Sequence, residues 1–123
     1  MIVADTDVLI DFLAGKGEAD AVEQLLRRGA LRTTVISRFE LLSGAKSSRQ
    51  LARVTQLLGG VPSLHLDDAS ADAAGEIRKA LEATGKAIGM ADSLIAGIVT
   101  THNGTLLTRN RRHFERVPGM RLA

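Results

Sequence analysis

Ile2-Val3-Ala4-Asp5-Thr6-Asp7-Val8-Leu9-Ile10-Asp11-Phe12-Leu13 is the stretch that decides the fold. Three apolar residues run up to an acid, the pattern of a short buried strand. Thr6 to Ala14 then sets Val8, Leu9, Phe12 and Leu13 at helical spacing until Gly15 and Gly17 stop it. A strand that passes straight into a helix, with a carboxylate at the junction, is the start of an alternating α/β chain.

The alternation continues outward from there. Ala19 to Arg28 is helical through Val22, Leu25 and Leu26, with Gly29 as its C-cap. Leu31 to Ile36 is rich in β-branched residues and reads as a second strand. Ser37 is then expected to cap a helix carrying Phe39 to Leu42, with Ser37 and Glu40 forming a capping box. Ser47 to Leu58 is a further helix, closed by Gly59-Gly60. Val61 to Leu66 is a third strand with Pro62 near its start, and Asp67-Asp68 open a long helix that ends at Gly85. Met90 to Thr101 is helical, Gly104 to Thr108 is a fourth strand, Asn110 to Phe114 is a turn or short helix, and Val117 to Leu122 reads as an edge strand. Strands alternating with helices imply a central, mostly parallel sheet of four to five strands covered on both faces, an α/β/α arrangement of three layers. The 123 residues read as a single domain, 1–123.

Composition narrows the function. There is no cysteine, so disulfides and thiolate metal sites are out, and a reducing cytoplasm is the expected compartment. The N-terminus has no basic region of a signal peptide. No apolar run reaches the ~18 residues of a membrane span, so no membrane association is expected. Three Phe and no Trp or Tyr argue against a base-stacking surface. From Thr108 to Ala123 there are five arginines and one glutamate, a basic end suited to an anionic partner such as nucleic acid, or simply a solvated surface.

In open parallel sheets, ligands gather outside the carboxyl ends of the strands. Asp5 ends the first strand, Ser37 and Glu40 follow the second, and Thr108 and Asn110 follow the fourth. Asp92 sits in the first turn of the helix before the fourth strand, and local pattern alone does not bring it to that edge. Each acid has a plainer reading: Asp5 as a helix cap, Glu40 as half of its capping box, Asp92 as a first-turn acid favoured by the helix dipole. If the three converge, two like charges at ~4 Å repel by roughly 4 kcal/mol at an effective dielectric near 20. Such a cluster needs a cation or must protonate. Hard oxygen donors suit Mg²⁺ or Mn²⁺, which can acidify a water and stabilise charge on a phosphoryl oxygen.

Four segments taken together resemble the motifs of PIN domains, in order and over essentially the whole chain. They are Asp5-Thr6-Asp7-Val8-Leu9-Ile10-Asp11, then Ile36-Ser37-Arg38-Phe39-Glu40-Leu41-Leu42-Ser43-Gly44, then Met90-Ala91-Asp92-Ser93-Leu94-Ile95-Ala96, then Leu107 to Phe114 with Val117-Pro118-Gly119. The form is most similar to the VapC toxin branch. The resemblance implies a PIN-like α/β/α fold and an Mg²⁺-dependent endoribonuclease, with Mn²⁺ able to substitute, that cleaves RNA as the toxin of a type II toxin–antitoxin pair. It implies metal held by Asp5, Asp92 and Glu40, catalytic involvement of Asn110, and hydroxyl contacts from Thr6, Ser37 and Thr108. Lys46, Arg109, Arg111 and Arg112 become candidate RNA contacts. It further implies a VapB-like antitoxin, a homodimer, and a heterotetramer or larger assembly with the antitoxin. Many family members carry aspartate where this chain has Asn110, a departure that weighs toward one firmly held ion rather than two. Asp7 is near enough to tune Asp5, although Asp7 and Asp11 read more simply as exposed helix residues. His65, His102 and His113 share no ligand spacing.

Three other readings compete. Asp5-Thr6-Asp7 also matches the start of haloacid-dehalogenase-type phosphatases, but Asp67-Asp68 comes too early to be their later acidic pair. A PIN scaffold that only binds RNA or a protein would fit the loss of an acid at Asn110. An RNA-processing PIN nuclease that is not a toxin remains within the same enzyme class.

Overall fold

The computed structural model describes residues 1–123. The elements follow in the order β1 (Ile2–Ala4), α1 (Thr6–Leu13), α2 (Ala19–Arg27), β2 (Leu31–Thr34), α3 (Val35–Gly44), α4 (Ser48–Gly59), β3 (Ser63–Leu64), α5 (Asp68–Ala83), α6 (Met90–Thr101), β4 (Thr105–Leu107), α7 (Arg111–Phe114) and β5 (Arg121–Leu122). The five strands form one sheet in the order β3-β2-β1-β4-β5. Every pairing is parallel. From β1 the chain moves outward to β2 and β3, then returns to the other side of β1 for β4. The switch point therefore lies between β1 and β4, which is where an open parallel sheet leaves a crevice at its carboxyl edge.

Alternation along β1 builds the three layers. Val3 points into a cluster with Leu81, Ile95, Val99, Leu106 and Phe114. Its neighbour Ala4 points the opposite way, into a cluster with Leu9, Val22, Leu31, Leu41 and Val54. Consecutive strand residues face opposite sides of the sheet, so one strand serves both cores. Helices α1 to α4 supply the first face and α5 to α7 the second.

Several boundaries differ from the sequence reading. β2 stops at Thr34, and Thr34 caps α3 by accepting from the Ser37 backbone N–H at 3.1 Å. Ser37 thus lies inside the helix, and no capping box joins it to Glu40. A β-branched run allowed either an extended strand or an earlier turn into helix, and a threonine hydroxyl at the right offset settles it for the helix. The third strand is only Ser63–Leu64 and the last only Arg121–Leu122, both at sheet edges where pairing ends on one side. Asp67 caps α5 as expected, accepting from Ser70 N–H at 2.9 Å.

α5 and α6 form the most extensive helix–helix contact, and Gly97 permits it. A Cβ there would lie 2.5 Å from the Ser70 carbonyl oxygen and 2.7 Å from Ala74 Cβ. Gly97→Ala should therefore lower stability by about 1–3 kcal/mol, although the same change in an open helix would stabilise. Urea unfolding of the two proteins checks the sign.

Candidate active site

The crevice at the carboxyl edge holds one continuous hydrogen-bonded network. Asp5 follows β1 and caps α1, and its Oδ1 accepts from the Thr6 N–H at 2.8 Å. Its Oδ2 accepts from the Thr108 hydroxyl at 2.7 Å. Thr108, which follows β4, in turn accepts from the Asn110 backbone N–H at 2.9 Å. The Asn110 amide nitrogen lies 3.4 Å from Asp92 Oδ2 and 2.8 Å from His113 Nδ1. On the other side of Asp5, the Thr6 hydroxyl donates to Glu40 Oε1 at 2.7 Å and lies 2.9 Å from Ser37 Oγ. A hydroxyl carries one proton. The carboxylate takes that of Thr6, so Ser37 is the donor in the second pair.

Asp5, Glu40, Asp92, Asn110, Thr6, Ser37 and Thr108 are thus all brought together. Two plain readings are answered by the geometry. Asp5 is indeed a cap, but capping uses one lone pair of one oxygen, and a carboxylate has about four acceptor positions. Glu40 does not cap its helix. Asp92 reaches the site because α6 packs beside β1 and β4, with its first turn at the same edge as Thr108.

Electrostatics mark Asp5. Its carboxyl is pushed up to about 6, chiefly by burial, with a further rise from Asp7 and Asp92; the bonds from Thr108 and Thr6 act the other way. Only 5% of Asp5 is exposed. An ionised carboxylate in that place lacks water and faces other negative charge, which is a standing demand for a cation. The donors are oxygen-rich, as a hard divalent ion requires. No three acidic or histidine side chains lie close enough to wrap an ion by themselves.

Asp11, expected at the surface, is buried. It pairs with Arg109 Nε at 2.9 Å, and Gly17 lets the loop after α1 close over it. The Arg109 backbone N–H also donates to Asp7 at 3.3 Å. Arg109 therefore ties α1 to the segment carrying Thr108 and Asn110, while its own side chain stays 61% exposed. Arg109→Ala should cost about 1–3 kcal/mol because it strands a buried carboxylate, read as a lowered denaturation midpoint. Arg111 donates to the Ala123 carbonyl oxygen at 2.6 Å, and Lys46, Arg109, Arg111 and Arg112 are all exposed.

His113 is the residue sequence reasoning missed. Its Nδ1 is 3.2 Å from Asp92 Oδ2. The three-residue spacing from Asn110 on a helical turn was the available signal, because it places both side chains on one face.

The PIN-domain family model matches residues 2–120, and the chain belongs to that family, in its VapC branch. It is 31% identical over 121 residues to the tRNA(fMet)-specific endonuclease VapC of Shigella flexneri, covering 95% of this chain and 92% of that protein. The fold superposes with a TM-score of 0.89 on a chain of the DNA-bound VapBC complex of Salmonella typhimurium, at 31% identity over 99% of this chain and 96% of that one. A chain of VapBC2 from Rickettsia felis, bound to a promoter DNA fragment, gives a TM-score of 0.88 at 25% identity, covering 100% and 98%. No helix is long and apolar enough to cross a membrane.

Proposed function

We propose that this chain is an Mg²⁺-dependent endoribonuclease, the toxin of a VapBC-type pair, acting at the edge where Asp5, Glu40 and Asp92 meet. The observation that carries this is the buried Asp5 carboxyl, held by Thr6 and Thr108 and raised to about 6. Asp5 and Asp92 are the residues that would hold the ion, with Glu40 available from the opposite side through its free oxygen. When bound, the ion neutralises the acids, lowers the pKa of a water and stabilises charge on the phosphoryl oxygens. The protein's own part is orientation. Thr108 and the Thr6 N–H fix both Asp5 oxygens, the Thr6 hydroxyl fixes Glu40, and Asn110 steadies Asp92. Such fixed geometry keeps the acids from reorganising as the phosphodiester reacts. Lys46, Arg109, Arg111 and Arg112, all exposed, are the cations assigned to RNA phosphates in this reading.

An apolar groove of about 300 Å³ lies between α1, α3 and α4, lined by Ile10, Leu13, Leu41, Ala45 and Val54 and bordered by Glu40 and Arg53. In this reading the VapB-like antitoxin lies along that groove and covers the acids. Homodimerisation, and a larger assembly with the antitoxin, belong to the same proposal. Brief induction in a bacterial host should arrest growth and yield discrete new RNA ends. Asp5→Asn should produce neither, and co-expression of the antitoxin should restore growth. A harmless parent protein that cleaves no RNA with Mg²⁺ or Mn²⁺ would overturn the reading.

A further inference from the structure

We propose that Asp92, His113 and Asn110 form one face of a mixed nitrogen–oxygen divalent-cation position, and that the His113 imidazole makes this chain bind Mn²⁺ in preference to Mg²⁺. The inference rests on the metal-dependent reading above and assigns it a ligand type that the acids alone do not supply. Three polar atoms from three residues face one another. His113 Nδ1 lies 3.2 Å from Asp92 Oδ2, the Asn110 amide nitrogen lies 2.8 Å from His113 Nδ1, and that same nitrogen lies 3.4 Å from Asp92 Oδ2. An octahedral ion with bonds of 2.0–2.1 Å has neighbouring ligands about 3.0 Å apart. The three separations bracket that figure, so the side chains need little movement to become three adjacent ligands.

The local chemistry can also take a positive charge. With its proton on Nε2, the His113 imidazole presents the Nδ1 lone pair to the Asp92 carboxylate; with its proton on Nδ1 it donates to that carboxylate. In the first tautomer a cation between the two atoms makes two bonds. A half-turn of the Asn110 amide about its last torsion exchanges its nitrogen and oxygen. Its oxygen then completes the face. His113 is 42% exposed and Asp92 25%, so water reaches the remaining positions of the ion. The support is rigid. Phe114, next to His113, is fully buried, and Asp92 stands in the first turn of α6. Mg²⁺ is hard and gives up its water reluctantly, so an imidazole adds little to its binding. First-row transition ions gain more from a nitrogen donor.

The test uses the metal-free full chain without RNA. Mn²⁺ is titrated in and followed by electron paramagnetic resonance, with pulsed spectra recorded on the bound ion and Mg²⁺ measured by competition. The parent should show the hyperfine coupling of one imidazole nitrogen. His113→Gln should lose that coupling and bind Mn²⁺ about tenfold or more weakly, with a much smaller change for Mg²⁺. Thermal melts confirm that the variant is folded. Bound Mn²⁺ with no nitrogen coupling, a coupling that survives His113→Gln, or equal weakening of both ions overturns this inference and leaves the carboxylate site standing. A parent that binds neither ion overturns both.

Discussion

Asp5→Asn is expected to reduce RNA cleavage by a factor of at least 10³, about 4 kcal/mol of transition-state stabilisation, while leaving the protein folded. The substitution is nearly isosteric. The amide oxygen can still accept from the Thr6 N–H, and asparagine caps helices as well as aspartate does. The amide nitrogen then faces Thr108, whose oxygen can accept from it. What is lost is the charge that the ion needs. Stability should move in the opposite direction. The Asp5 carboxyl lies at about 6 in the folded protein against 3.8 for the ordinary group, so the folded state prefers it protonated. That contribution is fully present below pH 3.8 and is lost as the pH rises through 6. Metal-free parent protein should therefore be more stable at pH 5 than at pH 7.5, by roughly 1–1.5 kcal/mol. Asp5→Asn should flatten this dependence and melt higher than the parent at pH 7.5. Added Mg²⁺ should stabilise the parent at pH 7.5 and leave the variant unmoved. Melts at both pH values, with and without the ion, check all three statements. Cleavage within tenfold of the parent would remove Asp5 from the mechanism.

Phe114→Ala should be the most damaging single truncation of the core, costing about 3–5 kcal/mol. Phe114 is the largest fully buried side chain and packs in the cluster with Val3, Leu106 and Val117. Native domains have only about 5–15 kcal/mol to lose. The effect should extend to the site. α7 has four residues, too few to persist alone, so Phe114 is what anchors it. Asn110 and His113 sit on or beside α7 and contact Asp92. At a temperature where the variant is still folded, cleavage should fall with it. Phe114→Leu keeps most of the volume and should recover most of both properties. Urea midpoints paired with cleavage rates separate global loss from local loosening: unchanged cleavage by folded Phe114→Ala would show that α7 is held by something else.

Local pattern carried much of this protein. The apolar run at Ile2 to Ala4 and the helical spacing from Val8 to Leu13 mark β1 and α1, and the same alternation recurs to β4. These are consequences of side chains a few residues apart, so they survive in the sequence. The placement of Asp5 and Thr108 at the carboxyl edge follows from that alternation alone. Single boundaries were less legible. Thr34 and Ser37 are both competent caps, and only the place where β2 pairing ends chooses Thr34.

The tertiary structure decided the rest. Thr108 meets Asp5 across 103 residues of chain and Thr6 meets Glu40 across 34. Asp92 lies on a helix that precedes its sheet partner, and His113 becomes its neighbour only because Phe114 holds α7 against the core. Asp11 carries the same charge as the exposed acids of other helices, yet Arg109 and the turn at Gly17 bury it. Each of these contacts depends on the strand order β3-β2-β1-β4-β5, which is a property of the whole packed chain. Periodicity reports which face of an element is apolar. It does not report which distant element comes to cover that face, and that covering is what gathers the acids at one edge.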